Sequence, residues 1–169
     1  MKITLNSNRI GICILCYNRL THIKKTLNAV KKHINNKDKI YIFLDNYSKR
    51  DQKKNIILCK KVQRYLYSLK KNKIIIIKSK KNIGPKNNWF RAYNFMFKIY
   101  DKVICLEDDI VIKKGFINFV SYYLNKFENN PKVMSITGYA TPVNLPINYH
   151  YDCYFSNRSM SWSKATWKR

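Results

Sequence analysis

Acidic residues are scarce in this chain: nine Asp and Glu stand against 34 Lys and Arg in 169 residues, a formal net charge of +25. Apolar runs of membrane length are missing too. Met1-Lys2 leads into the polar run Thr4 to Arg9 instead of an apolar leader, and no stretch approaches the roughly 18 residues of a membrane span. The expectation is a cytoplasmic chain. Arg-rich base-reading elements and a Gly-aromatic RNA-binding signature are absent, which argues against specific nucleic-acid recognition. The lysines are spread along every segment, so the charge predicts peripheral adhesion to anionic lipid on the inner face of the cell membrane, with no single selected patch. The cysteines (Cys13, Cys16, Cys59, Cys105, Cys153) are five, an odd number, and four lie in apolar periodic segments, so no disulfide framework is expected. Cys13 and Cys16 have C-x-x-C spacing, yet in a strand positions i and i+3 point to opposite faces and cannot grip one metal.

What the chain does have is 46% hydrophobic and 14% aromatic residues, enough for the core of one domain. Apolar runs alternate with amphipathic stretches, the pattern of β-α-β units in an α/β fold with a mainly parallel sheet and helices on both faces. The predicted strands are Ile10 to Cys16, Lys39 to Leu44, Ile74 to Ile77, Val103 to Leu106 and Val133 to Thr137. Between them, Thr21 is expected to cap a helix with the inner stripe Ile23, Leu27, Val30 and Ile34. Asp51 is expected to cap a second, with Leu58, Val62, Tyr65, Leu66 and Leu69 on one side. A Gly84-Pro85 turn precedes an aromatic helix from about Asn88 to Tyr100, and Gly115 precedes another from Phe116 to about Phe127. Tyr139 to Tyr154 reads as a long loop or small β-excursion, and Trp162 to Trp167 has helical spacing.

Three of the nine acids are consecutive, Glu107-Asp108-Asp109, where the fourth strand emerges. Adjacent carboxylates raise one another's pKa unless a cation neutralises them, and Mg²⁺ or Mn²⁺ prefers carboxylate and phosphate oxygens. Ligands of open α/β sheets bind at the carboxyl ends of the strands, which is where the triplet falls. The same edge carries Asp45, able to accept from a base N–H or a ribose hydroxyl, and Tyr17-Asn18-Arg19, a ring for stacking and a guanidinium for phosphate. It also carries the loop Lys81 to Asn88, in which Asn82 lies beside Gly84, Gly84 permits close backbone approach and Asn88 is placed to cap the next helix. That loop lacks P-loop spacing. Asp152 is the only carboxylate after Glu128 and so the sole downstream candidate for a general base. His150 is a loop histidine that could serve as a base or metal ligand.

The strings Ile-Cys-Ile-Leu-Cys-Tyr-Asn-Arg, Phe-Leu-Asp-Asn, Lys-Asn-Ile-Gly and Val-Ile-Cys-Leu-Glu-Asp-Asp, in this order, resemble A-type glycosyltransferases of the nucleotide-diphospho-sugar transferase fold. The Glu-Asp-Asp variant of Asp-x-Asp is similar to the N-acetylglucosaminyltransferase I group and to family 2-like bacterial sugar transferases. The resemblance implies that Asp109 binds Mn²⁺ or Mg²⁺, that Asp108 and Glu107 face the sugar and ribose, and that Asp45 lies near the nucleobase. It implies inverting transfer from a nucleotide-sugar donor to a glycan or lipid-linked acceptor, in surface-glycan synthesis. Phe155 to Trp167 resembles the acceptor-side segment Ser-Trp-Gly-Trp-Ala-Thr-Trp, departing from it at Ser163 and Lys164. The expected organisation is a single domain over 1–169, with a donor-binding half at 1–138 and an incomplete acceptor-side region at 139–169. The rival readings are a non-catalytic basic fragment of the same fold, or a sugar-phosphate nucleotidyltransferase, which needs a Gly-rich loop that Asn18-Arg19-Leu20 does not supply.

Overall fold

β1 (Ile10–Cys16) is buried along its whole length, as a strand flanked by parallel neighbours and covered on both faces must be. The computed structural model of the chain describes residues 9–35, 37–69 and 73–169. From β1 the chain runs through α1 (Leu20–His33), β2 (Ile40–Leu44), α2 (Lys53–Ser68), β3 (Ile74–Lys78), α3 (Gly84–Met96), β4 (Lys102–Glu107), α4 (Phe116–Lys126), β5 (Ile136–Thr137) and β6 (Lys164–Trp167). The strands form one six-stranded sheet in the order β3-β2-β1-β4-β6-β5. β3, β2, β1 and β4 are mutually parallel, and β6 runs antiparallel to both β4 and β5. The expected α/β architecture, mainly parallel with helices on both faces, is the observed one.

Alternation along β1 divides the core. Ile10, Ile12, Ile14 and Cys16 face a cluster shared with Ile23, Leu27 and Val30 of α1, Val62 and Leu66 of α2, and Val120 and Leu124 of α4. Cys13 and Leu15 face the opposite cluster, built on Ala92 and Met96 of α3 with Tyr41 and Phe43 of β2. Cys13 and Cys16 therefore lie on opposite sides of the sheet. No helix among the described residues is long and apolar enough to cross a membrane.

Several local expectations need correction. The segment 162–167 is not helical: Lys164–Trp167 is a strand, registered with Lys102↔Trp167 and Cys105↔Lys164 on β4. Without it the central strand β4 would leave one edge of N–H and C=O groups unpaired. Its side chains alternate accordingly. Ala165 and Trp167 enter the core, where the Trp167 indole donates to the Leu124 carbonyl at 2.9 Å, and Lys164 lies over the Trp89 ring on the other face. The strand expected from Val133 narrows to Ile136–Thr137. Neither Thr21 nor Asp51 caps a helix; Arg19 and Gln52 hold those positions, with no side-chain cap bond. α3 starts at Gly84, four residues before Asn88, with Pro85 in the first turn, where a missing N–H costs nothing.

Candidate functional site

The carboxyl ends of β1, β2 and β4 deliver Tyr17 to Arg19, Asp45 and the acidic triplet to one edge of the sheet, because these strands are parallel and adjacent. Within the triplet, side chains alternate as the strand runs out. Asp108 is only 2% exposed. Its carboxylate accepts from the Tyr17 N–H at 3.4 Å and from one arm of the Arg19 guanidinium, and its carbonyl accepts from the Thr26 hydroxyl at 2.7 Å. Burial pushes the Asp108 carboxyl above its ordinary pKa, with Arg19 pulling the other way. Glu107, half-buried, is also raised, first by burial and then by the neighbouring Asp109 charge.

Asp109 turns outward. Its Oδ2 accepts from the second arm of Arg19 at 2.8 Å, and its side chain is 35% exposed. It lies on the wall of a cavity of ≈ 740 Å³ that is also lined by Lys113, Tyr139, Asp152, Arg158 and Trp162. The Tyr139 and Trp162 rings pack against each other with centroids 4.7 Å apart. The cavity thus joins the end of β4 to the 139–163 excursion. His150 is exposed and is not on this wall.

Asp45 does different work from a free acceptor. It is 5% exposed, and it accepts from the Ser79 hydroxyl at 2.8 Å, from its neighbour's N–H on Asn46 at 2.8 Å, and from the Ile83 and Gly84 N–H groups at 3.1 and 3.0 Å. The carboxylate anchors the 79–84 loop and satisfies the first turn of α3 from across the sheet. Gly84 is needed for its φ of +76°, since an added Cβ would meet no protein atom within 4 Å. Asn82 donates to the Asn46 carbonyl at 2.8 Å. Asn88 is buried inside α3 and donates to the Phe43 carbonyl at 2.9 Å, so its amide ties helix to strand. The Tyr17 hydroxyl donates to Asp51 at 2.7 Å, and Asn18 reaches Asn55 at 3.5 Å.

Sequence reasoning missed Ser79, Thr26 and Asp51 as members of this edge. Ser79 carries a positional signal, following β3 where Asp45 follows β2. Thr26 lies on the buried stripe of α1, one turn from Ile23 and Val30.

Among the described residues no group of three or more His, Cys, Asp or Glu converges on a metal position. The donors present are hard carboxylate oxygens, with Asp109 the accessible one. That set fits Mg²⁺ or Mn²⁺ only if a diphosphate and water complete the coordination, which is how these ions are commonly held.

No protein-family description matches the chain, and no curated protein matches it. Solved structures do match it, the following two among them. A mannosyltransferase from Pyrobaculum calidifontis, in complex with GDP-mannose and Mn²⁺, superposes with a TM-score of 0.52 at 11% identity, covering 76% of this chain and 34% of that one. Residues 1–349 of S. aureus TarS superpose with a TM-score of 0.59 at 13% identity, covering 99% and 47%. The fold is that of a solved glycosyltransferase. The chain spans less than half the length of either structure it matches.

Proposed function

We propose that this chain binds a nucleoside-diphospho-sugar through a divalent metal and transfers the sugar to a hydroxyl of a glycan or lipid-linked acceptor, with inversion, in surface-glycan synthesis. The observation that carries the reading is the placement of Asp109. It is the outward carboxylate at the end of a central parallel strand, beside a cavity it shares with Asp152. The complex of the superposed mannosyltransferase with GDP-mannose and Mn²⁺ supports the same donor class and metal.

Asp109 would hold Mn²⁺ or Mg²⁺, whose Lewis acidity offsets the negative charge that builds on a departing diphosphate. Glu107 is the remaining carboxylate open to a ribose or sugar hydroxyl. Asp108 is a positioning residue: its buried carboxylate orients Arg19, and Arg19 presents a planar two-armed donor suited to phosphate. Tyr17, held by Asp51, presents its ring for stacking against the base. Asp152 would take the proton from the acceptor hydroxyl as that oxygen bonds to the anomeric carbon, a contribution of about 10² to 10⁴ in rate. A nucleotidyltransferase reading has no support in the segment after β1, where Tyr17-Asn18-Arg19 replaces a Gly-rich loop.

Calorimetry with UDP- and GDP-sugars tests the donor half. Binding should require Mn²⁺ and vanish in Asp109→Ala with the fold retained; equal affinity in EDTA or in the mutant would sink the proposal. For the acceptor half, Asp152→Asn should keep donor binding and lose transfer to a panel of glycan and lipid-linked acceptors. Transfer undiminished in Asp152→Asn would remove that residue from the chemistry.

A further inference from the structure

The two arms of Arg19 are divided between two carboxylates of unlike environment. One arm pairs with Asp108, whose side chain is 3% exposed, and the other with Asp109, whose side chain is 35% exposed. The Arg19 side chain is itself 44% exposed and its residue is the N-cap of α1, so its outer arm has solvent to move into. Arg19 therefore occupies, with a fixed positive charge, the face of Asp109 that looks toward Asp108.

We infer that Arg19 is a resident counter-ion, which keeps Asp109 closed to a free divalent ion until a diphosphate draws its outer arm away. This rests on the metal-dependent donor reading given above. The ground is electrostatic and geometric. A metal arriving alone must displace a charged hydrogen bond and then sit beside a +1 group, while finding, among the described residues, no cage of three or more protein donors around Asp109. A diphosphate reverses both terms. Its oxygens offer the outer arm several strong acceptors in place of one carboxylate oxygen, and they complete the metal's coordination. The inner arm need not let go. Asp108 is buried, and losing Arg19 altogether would leave its charge to the long Tyr17 N–H bond at 3.4 Å and the weak Cys16 thiol donor, so the Asp108 pair acts as the pivot about which the outer arm turns. Metal and donor would then load together, and the metal would be released with the diphosphate.

The test is Mn²⁺ uptake by the full chain, read from loss of the free-ion electron paramagnetic resonance signal. It is run with Mn²⁺ alone and with pyrophosphate, UDP or GDP, in wild type, Arg19→Gln, Arg19→Lys and Asp109→Asn. Wild type should take up Mn²⁺ weakly alone and strongly with a diphosphate. Arg19→Gln should bind Mn²⁺ alone up to about fivefold more tightly than wild type, the upper end of what a half-exposed ion pair is worth. Arg19→Lys preserves a charge for Asp108 but cannot fork to both acids, so it should show the same gain in smaller measure and covers the case in which Arg19→Gln fails to fold. Equal affinity for Mn²⁺ alone in wild type and in the folded Arg19 variants would overturn the counter-ion role while leaving the donor site standing. Wild type that takes up no Mn²⁺ with any diphosphate, or Asp109→Asn that matches wild type, would overturn both.

Discussion

Asp45 and Asp109 are both aspartates at strand ends on one edge, and their removal should have opposite consequences. Asp45→Ala strips the acceptor from the Ser79 hydroxyl and from the N–H groups of Asn46, Ile83 and Gly84, bonds of 2.8 to 3.1 Å. A hydrogen bond to a charged group contributes about 1.5 to 3 kcal/mol net, but Ile83 and Gly84 are half-buried, so water recovers part of the loss. A total near 3 kcal/mol is the reasonable estimate, well short of the sum of four such bonds. For a domain of this length that lowers Tm by about 6 to 12 °C. Asp109→Ala removes a side chain that is 35% exposed with one guanidinium contact, and should stay within about 0.5 kcal/mol of wild type. Thermal and urea unfolding followed by circular dichroism, at one salt concentration, measures both. If Asp45→Ala is as stable as wild type, or if Asp109→Ala costs as much as Asp45→Ala, the division into loop anchor and outward ligand is wrong.

Three further outcomes are expected. Because burial, reinforced by Asp109, raises the Glu107 carboxyl, its contribution to stability is complete below the unfolded pKa of about 4.3 and is lost as pH rises through the higher folded value. Glu107→Gln should thus unfold at higher urea than wild type at about pH 7 and lose that advantage near pH 4, whereas a constant or inverted difference would contradict the sign. Ser163 holds a left-handed φ of +51° just before β6. Ser163→Gly should raise stability by about 1 kcal/mol in the same unfolding assay, and a loss would mean that the Ser163 hydroxyl bond to the Trp162 carbonyl outweighs the strain. The net charge of +25 predicts sedimentation with anionic vesicles that weakens as salt screens the attraction over about 8 Å near physiological strength; retention on neutral lipid would refute it.

The same left-handed turn explains a departure visible at the sequence level. Ser163 stands where the resembling acceptor-side segment has glycine, and the backbone there requires the conformation glycine adopts most readily. Lys164, standing where that segment has Trp, lies over the Trp89 ring, so the face that an aromatic would cover is covered by a cation instead.

Periodicity determined the strands β1 to β4, the inner stripe of α1 and most of that of α2, since burial of one face leaves a repeating mark on neighbouring residues. Clustering of scarce acids marks the end of β4 as a candidate site from the sequence alone. The tertiary structure decided which acid faces outward, that Asp108 is spent on Arg19 and Tyr17, that Asp45 caps α3 from another strand, and that the last residues form β6. None of those could be read locally. Each depends on a partner from 39 to 91 positions away in the chain, and a carboxylate carries no sign of whether its donors will be protein groups or a ligand until the sheet brings them together. The Lys164–Trp167 segment shows the same limit, because its residues fit either period and only the open edge of β4 made extended pairing the lower free energy.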